Sequence, residues 1–302
     1  MNNEFSINNK KEPQIIAAEK DYLVVYKPAG MHTSPLANST DNTMFKWCVS
    51  QYPEIADIAV SEALPDNDLN DEDANKKPLE GGMLHRLDFD THGLLLIART
   101  QLGKDVILNQ QREGMFIKGY CALTAEKQTK LSGFPDEKPI IPFWIYRDKY
   151  RIGDSVGLKC AFKPYGPGRK EVRPVQTSIS PAQISKEEVD IAYDGNRPYV
   201  TDIVGAKLLS PNGEQIIFEH VLPRQDSPGL AFFRLKIIRG FRHQIRCQLA
   251  WMGRPILNDM LYGGISYGNG LLALRAYSVT FTDPSSGKEM TYSIPLLELG
   301  DI

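Results

Sequence analysis

Apolar residues along this chain recur with a period of two or in short unbroken runs far more often than with helical spacing. Residues 21–26, Asp-Tyr-Leu-Val-Val-Tyr, form a β-branched and aromatic run that stops at Lys27-Pro28-Ala29-Gly30, a strand closed by a turn. Residues 94–98, Leu-Leu-Leu-Ile-Ala, are too few for a helix and predict a buried strand. Further strands are expected at 117–124, 199–209, 215–222, 230–238, 271–281 and 290–294. Helices are expected at three places. One covers 40–51, with Thr40 or Asp41 near its N-cap. A second follows Thr100, with Leu102, Val106 and Ile107 in helical spacing and Gly114 as its stop. The third covers 242–252, with Ile245, Leu249 and Met252 on its buried face and Gly253 ending it. So many strands with hairpin-like connections predict an α+β fold, a large mixed, mostly antiparallel sheet flanked by helices and loops.

The remaining segments set the expected organisation. Residues 1–13 are polar and Asn-rich and suit a flexible tail, leaving 14–302 as one domain. Residues 62–77 lack periodicity and hold six acids against two lysines, an acidic surface loop. Around 130–200 the chain is rich in Pro, Gly and charge, an irregular insertion with a β-like piece at Phe143–Tyr146. Residues 166–174 form a basic turn or loop, either solvated or a contact for a polyanion. Neither repeats nor an appended N-terminal RNA-binding module are discernible.

Composition narrows the function classes. Of 302 residues 42% are apolar, enough for a substantial core. There is no apolar run of membrane-spanning length, and the N-terminus has no apolar core of a signal peptide, so the cytoplasm is the expected address and no membrane partner is expected. The four cysteines, Cys48, Cys121, Cys160 and Cys247, are widely spaced and suit buried, reduced packing residues rather than metal ligands. Without a paired Cys-x-x-Cys no metal is expected, and without a Gly-rich phosphate loop no nucleotide cofactor is expected. The net charge of −2 argues against a nucleic-acid partner until its distribution is considered. Residues 231–255 carry Arg234, Lys236, Arg239, Arg242, Arg246 and Arg254 with no acid among them. A basic concentration of that kind suits a polyanion groove.

The polar run Gly82-Met83-Leu84-His85-Arg86-Leu87-Asp88-Phe89-Asp90-Thr91-His92-Gly93 leads straight into the buried strand at 94–98. Asp88 and Asp90 would then sit on a loop anchored by a rigid element, where a side chain is free to act. Arg86-x-Asp88 alone could equally be a solvated arginine beside a turn cap. Three further blocks accompany it: Lys27-Pro28-Ala29-Gly30, Ile117-Lys118-Gly119-Tyr120-Cys121-Ala122-Leu123, and Gly240-Phe241-Arg242-His243-Gln244-Ile245-Arg246 followed by 255–264. Together, and in this order, the four blocks resemble the RsuA/RluA-type pseudouridine synthases, the RluA branch in particular, from about residue 15 to about residue 281.

That resemblance implies the same α+β fold and an RNA pseudouridine synthase, acting without cofactor on ribosomal or transfer RNA, and a monomer is expected. It implies Asp88 as the catalytic aspartate and Arg246 as its arginine partner. Tyr120 would be the tyrosine that stacks on the flipped uracil. Arg86 would fill the gap left by the flipped nucleotide, and Lys118 and Arg242 would touch phosphates, with Arg242 one turn before Arg246 on the same helix face. His85 and His243 fit hydrogen-bonded structural roles. The sequence departs from the family pattern at His92, where Ser is usual, at Phe241 for Arg, at Asn258 and Met260 for Gly and Pro, and at Arg275, where His is frequent. Two other classes compete: a catalytically silent RNA-binding or ribosome-assembly protein on the same fold, and a hydrolase with a lone carboxylate. The complete set of Asp88, Tyr120 and Arg246 favours the enzyme over the silent relative.

Overall fold

The computed structural model describes residues 2–7, 10–35, 42–59, 80–127, 130–140, 142–146, 155–175, 198–210, 213–214 and 229–302. The expected strand at 215–222 and the acidic loop at 62–77 lie outside them. In chain order the strands are β1 Asn2–Glu4, β2 Gln14–Ala18, β3 Tyr22–Lys27, β4 His92–Ala98, β5 Ile117–Ala125, β6 Val156–Tyr165, β7 Glu171–Val175, β8 Tyr199–Leu209, β9 Leu230–Ile237, β10 Leu274–Thr282 and β11 Glu289–Ser293. The helices are α1 Met44–Gln51, α2 Gln101–Glu113 and α3 Gln244–Trp251. Among the described residues a large mixed sheet with three α-helices is the α+β architecture expected, and the pairings are mostly antiparallel. Within the stretch expected as one domain the chain forms two compact units, Met1–Tyr120 with Arg275–Leu296, and Cys121–Leu274 with Leu297–Ile302.

In the first unit β3 lies antiparallel between β2 and β4, and β4 pairs in parallel with β10. Every residue of β3 and β4 is buried, so both faces are covered. That is why the sequence shows unbroken apolar runs there instead of alternation. Tyr22, Val24 and Tyr26 pack with Leu94, Leu96 and Ala98 and with Ile107 and Leu108 of α2. Gly93 has φ +127, and a Cβ there would sit 2.2 Å from the Ala276 carbonyl oxygen, so only glycine lets β10 approach β4 this closely.

The helices differ from expectation at their edges. Thr43, rather than Thr40 or Asp41, caps α1 by accepting from Lys46 N–H. Thr100 and Gly114 bound α2 as expected. Its buried face, however, is Gly103, Lys104, Ile107 and Leu108, and Leu102 is exposed. Lys104 can be interior because its ammonium donates to the Ala59 and Gly81 carbonyls at 2.8 and 2.6 Å. The N-terminal residues expected as a free tail contain β1, which pairs in parallel with β11. Phe5 anchors it, its N–H on the Ser293 carbonyl and its ring stacked on Tyr292.

In the second unit β6 and β7 form a hairpin, and β6, β8 and β9 pair antiparallel in that order. Phe143–Tyr146 is a 3-10 turn and not a strand piece. The stretch at 166–174, expected as a basic loop, is a tight turn at Pro167–Arg169 that runs into β7. Arg173 is neither solvated nor free for a polyanion. Its guanidinium lies 4.1 Å above the Tyr165 ring, bonds the Ser132 and Val172 carbonyls and pairs with Glu171. All four cysteines are buried, as expected, and burial pushes the Cys48 and Cys160 thiols up to about 12.

Helix α3 begins at Gln244, two residues later than the pattern suggests, with His243 as N-cap in the left-handed region. The Gln244 side chain reaches back to accept from Phe241 N–H, which ends the loop before it. Arg242 is therefore outside the helix and does not share a helical face with Arg246. Almost the whole of α3 is buried, including Gln244, Arg246 and Gln248, because each polar side chain has hydrogen-bond partners.

Candidate active site

Asp88 lies in the segment that enters β4, half-buried, with Arg86 and Asp90 exposed on either side. The Asp88 carbonyl accepts from Thr91 N–H at 3.1 Å, closing a turn. Three residues at and after the end of β3 lace this turn in place. Thr33 Oγ1 donates to the Leu87 carbonyl at 2.7 Å and faces Leu87 N–H at 3.1 Å. Gly30 N–H donates to the Phe89 carbonyl. Lys27, fully buried at the end of β3, donates to the carbonyls of Pro28, Phe89 and Thr91 at 2.8, 3.0 and 2.7 Å. Three acceptors match the three protons of an ammonium, so one side chain fixes the backbone on the C-terminal side of Asp88.

Tyr120, 6% exposed on β5, is near enough to Asp88 for the carboxylate charge to act on it. Burial raises its hydroxyl above the ordinary value and Asp88 adds to that, so the phenol keeps its proton. Lys118, two residues earlier, is also buried rather than presented on the surface, with its ammonium 5.6 Å from the Phe116 ring centroid. His85 accepts the Leu96 N–H through Nε2, and burial, with the Lys118 charge, holds its imidazole well below the usual range. His85 is thus a neutral structural histidine.

In the second unit Arg246 makes a two-pronged pair with Asp259, Nε to Oδ2 at 2.7 Å and Nη2 to Oδ1 at 2.8 Å. Its guanidinium also lies over the Tyr262 ring. The Tyr262 hydroxyl takes the Val172 N–H and meets His243 Nδ1. Arg242 is half-buried and donates to the Arg169 carbonyl at 2.7 Å. Arg254 is held by the Gly229 carbonyl and Glu126, and Arg239 lies over the Tyr199 ring. The basic stretch at 231–255 is therefore not one uniform solvated face.

A model of the RNA pseudouridylate synthase family matches residues 21–251, most of the chain. The chain belongs to that family. The synthase is 23% identical over 294 residues to an uncharacterized RNA pseudouridine synthase of Helicobacter pylori (strain J99), covering 95% of this chain and 67% of that protein. It is likewise 23% identical to the dual-specificity RNA pseudouridine synthase RluA of Escherichia coli O6:H1, covering 95% of this chain and 96% of the relative. The solved structure of human RNA pseudouridylate synthase domain containing 1 shares the fold, with a TM-score of 0.51 at 18% identity, over 96% of this chain and 85% of that one. The synthase is accordingly an isomerase that modifies RNA.

Sequence reasoning missed two residues here. Lys27 was visible as a charge at the end of a wholly apolar strand, but its partners are backbone carbonyls, which carry no side-chain signature. Asp259 lies in the block at 255–264, and only the fold turns it toward Arg246. Lys27 also gives the synthase a pH signature. Burial pulls its ammonium down to about 7, with Asp88 and Asp90 opposing the shift. The unfolded lysine holds its proton to about pH 10, so between about 7 and about 10 the unfolded chain binds more protons. Stability contributed by this residue then rises with pH across that window. Urea denaturation should show wild type gaining on Lys27→Met from pH about 7 to about 10. A flat or shrinking gap would contradict the burial of a titrating lysine here.

The departures at His92 and Arg275 are linked. The two residues face each other in the parallel pairing of β4 with β10, and Arg275 Nε donates to His92 Nε2 at 3.1 Å. Both are about 1% exposed. His92→Ser and Arg275→His should each destabilise the synthase. The double variant should lose less than the sum, with a coupling of roughly 0.5–3 kcal/mol in denaturant unfolding. Strict additivity would show that the two exchanges are independent.

Proposed function

We propose that the synthase isomerises a uridine flipped out of structured ribosomal or transfer RNA, with Asp88 as the catalytic carboxylate. The reaction breaks the bond from N1 to C1′, turns the base and joins C5 to C1′, after which C5 loses its proton and N1 gains one. No atoms are added, so the chain needs a carboxylate beside the ribose, as nucleophile at C1′ or base at C2′, and a surface that holds the detached base. Asp88 is suited to the first task and the buried, protonated Tyr120 to the second. By resemblance Arg86, exposed two residues before Asp88, fills the space the uridine leaves. By resemblance Arg246 steadies the Asp88 carboxylate, and Lys118 and Arg242 serve the phosphates.

The observation that carries this reading is the lacing of the Asp88 turn by Lys27, Thr33 and Gly30, which holds one acid in a fixed place beside a protonated tyrosine. A silent RNA-binding protein has no use for such a carboxylate, which repels phosphate. The test is to map pseudouridine across ribosomal and transfer RNA from cells with and without the synthase. One or a few uridines should lose the modification, and unchanged maps in both RNA classes would reject these targets.

A further inference from the structure

We propose that the Phe89 ring, backed by His32, is a stacking platform for a nucleobase of the single-stranded RNA next to the target uridine. Phe89 follows Asp88 directly and is 43% exposed. A single exposed apolar side chain is ordinary on a protein surface and by itself signals nothing. Phe89 differs in how firmly it is held. Its carbonyl accepts from both Gly30 N–H and Lys27 Nζ, so the backbone that carries the ring is fixed on the inner side. Its ring lies 4.5 Å from the His32 ring, centroid to centroid, at 45°.

His32 is fixed just as firmly. Its carbonyl accepts from Met44 N–H, and Thr33 beside it is bonded to Leu87. The two segments are thus laced so that the ring of Phe89, the residue after Asp88, is backed by His32 and open to solvent. Little conformational entropy is left to lose when a flat ligand settles on such a ring.

The chemistry of the ligand follows from the reading above, on which this inference rests. Pulling one uridine out of an RNA strand strips its neighbours of a stacking partner. A rigid aromatic face replaces that partner without regard to base identity, because every base has a π-face. The exposed Arg86 supplies positive charge three residues before Phe89.

The probe is a short single-stranded oligoribonucleotide containing one uridine, compared with the same oligomer carrying abasic residues on both sides of that uridine. Fluorescence of Phe89→Trp, after subtraction of the signal of the three native tryptophans, should be quenched by the intact oligomer and much less by the abasic one. Phe89→Ala should bind the intact oligomer on the order of tenfold more weakly, and the abasic one nearly as well as wild type does. Phe89→Tyr should keep the affinity and Phe89→Leu should not. If Phe89 merely packs on His32, Phe89→Trp will show no added quenching, or Phe89→Ala will lose equally on both oligomers, and either result overturns the platform. Phe89→Trp keeps the test valid should Phe89→Ala fold poorly. The isomerase reading fails on a different measurement, the absence of pseudouridine from RNA treated with wild type, so the two failures are distinguishable.

Discussion

Asp88→Asn is expected to abolish pseudouridine formation while leaving RNA affinity nearly unchanged. Asparagine has the same shape, and the turn around it is held by Lys27, Thr33 and Gly30 through backbone carbonyls that the substitution does not touch. On the role proposed for Asp88, what is lost is the anionic oxygen that would attack C1′ or take the C2′ proton. Removing the group that acts on the reacting carbon typically costs ten-thousandfold or more in turnover, on the order of what a lost nucleophile shows elsewhere. Affinity should hold because an acid beside an RNA phosphate contributes repulsion, not attraction. Nucleoside analysis of RNA treated with the purified variant, alongside filter binding, reads both quantities. Turnover within tenfold of wild type would remove Asp88 from the chemistry.

Arg246→Ala should cost stability on a comparable scale of effect. The side chain of Asp259 is fully buried and that of Arg246 nearly so, at 0% and 8% exposure. Removing the arginine leaves a carboxylate in the interior with, among the described residues, the Tyr262 N–H still directed at it at 3.3 Å. Breaking one side of a buried pair costs roughly 3–5 kcal/mol, most of it the penalty of the stranded charge. Arg246→Met with Asp259→Leu removes both charges and should recover much of that loss. Chemical denaturation of the two single variants and the double one gives the coupling, and simple additivity would show that the pair does not hold α3 to the turn at Met260–Tyr262. Turnover answers a separate question. If Arg246 also serves Asp88, as the resemblance implies, then Asp88→Asn with Arg246→Ala will be no less active than Asp88→Asn alone.

Local pattern determined a good deal of this protein. β3, β4, β5, β8, β9 and the bounds of α2 are legible because strand runs, an N-cap threonine and a left-handed glycine are short-range signals. Asp88 and Tyr120 emerge as candidates too, since each sits in a block whose residues are contiguous. What the pattern misjudged was decided by partners distant in the chain. Lys104 is interior because two carbonyls meet its ammonium, and Arg173 because an aromatic ring and Glu171 enclose it. β1 is a strand because β11, almost three hundred residues later, offers it an edge. A charged residue reads as surface from sequence alone, since burying it is costly unless every polar atom finds a partner, and such partners are mostly backbone groups that no residue type announces. The same holds for the site itself. The sequence by itself singled out Asp88 and Tyr120 as the candidate acid and tyrosine. Only the tertiary structure decided that Lys27, sixty-one residues before Asp88, holds the turn that carries it, because that hold depends on where three carbonyls point.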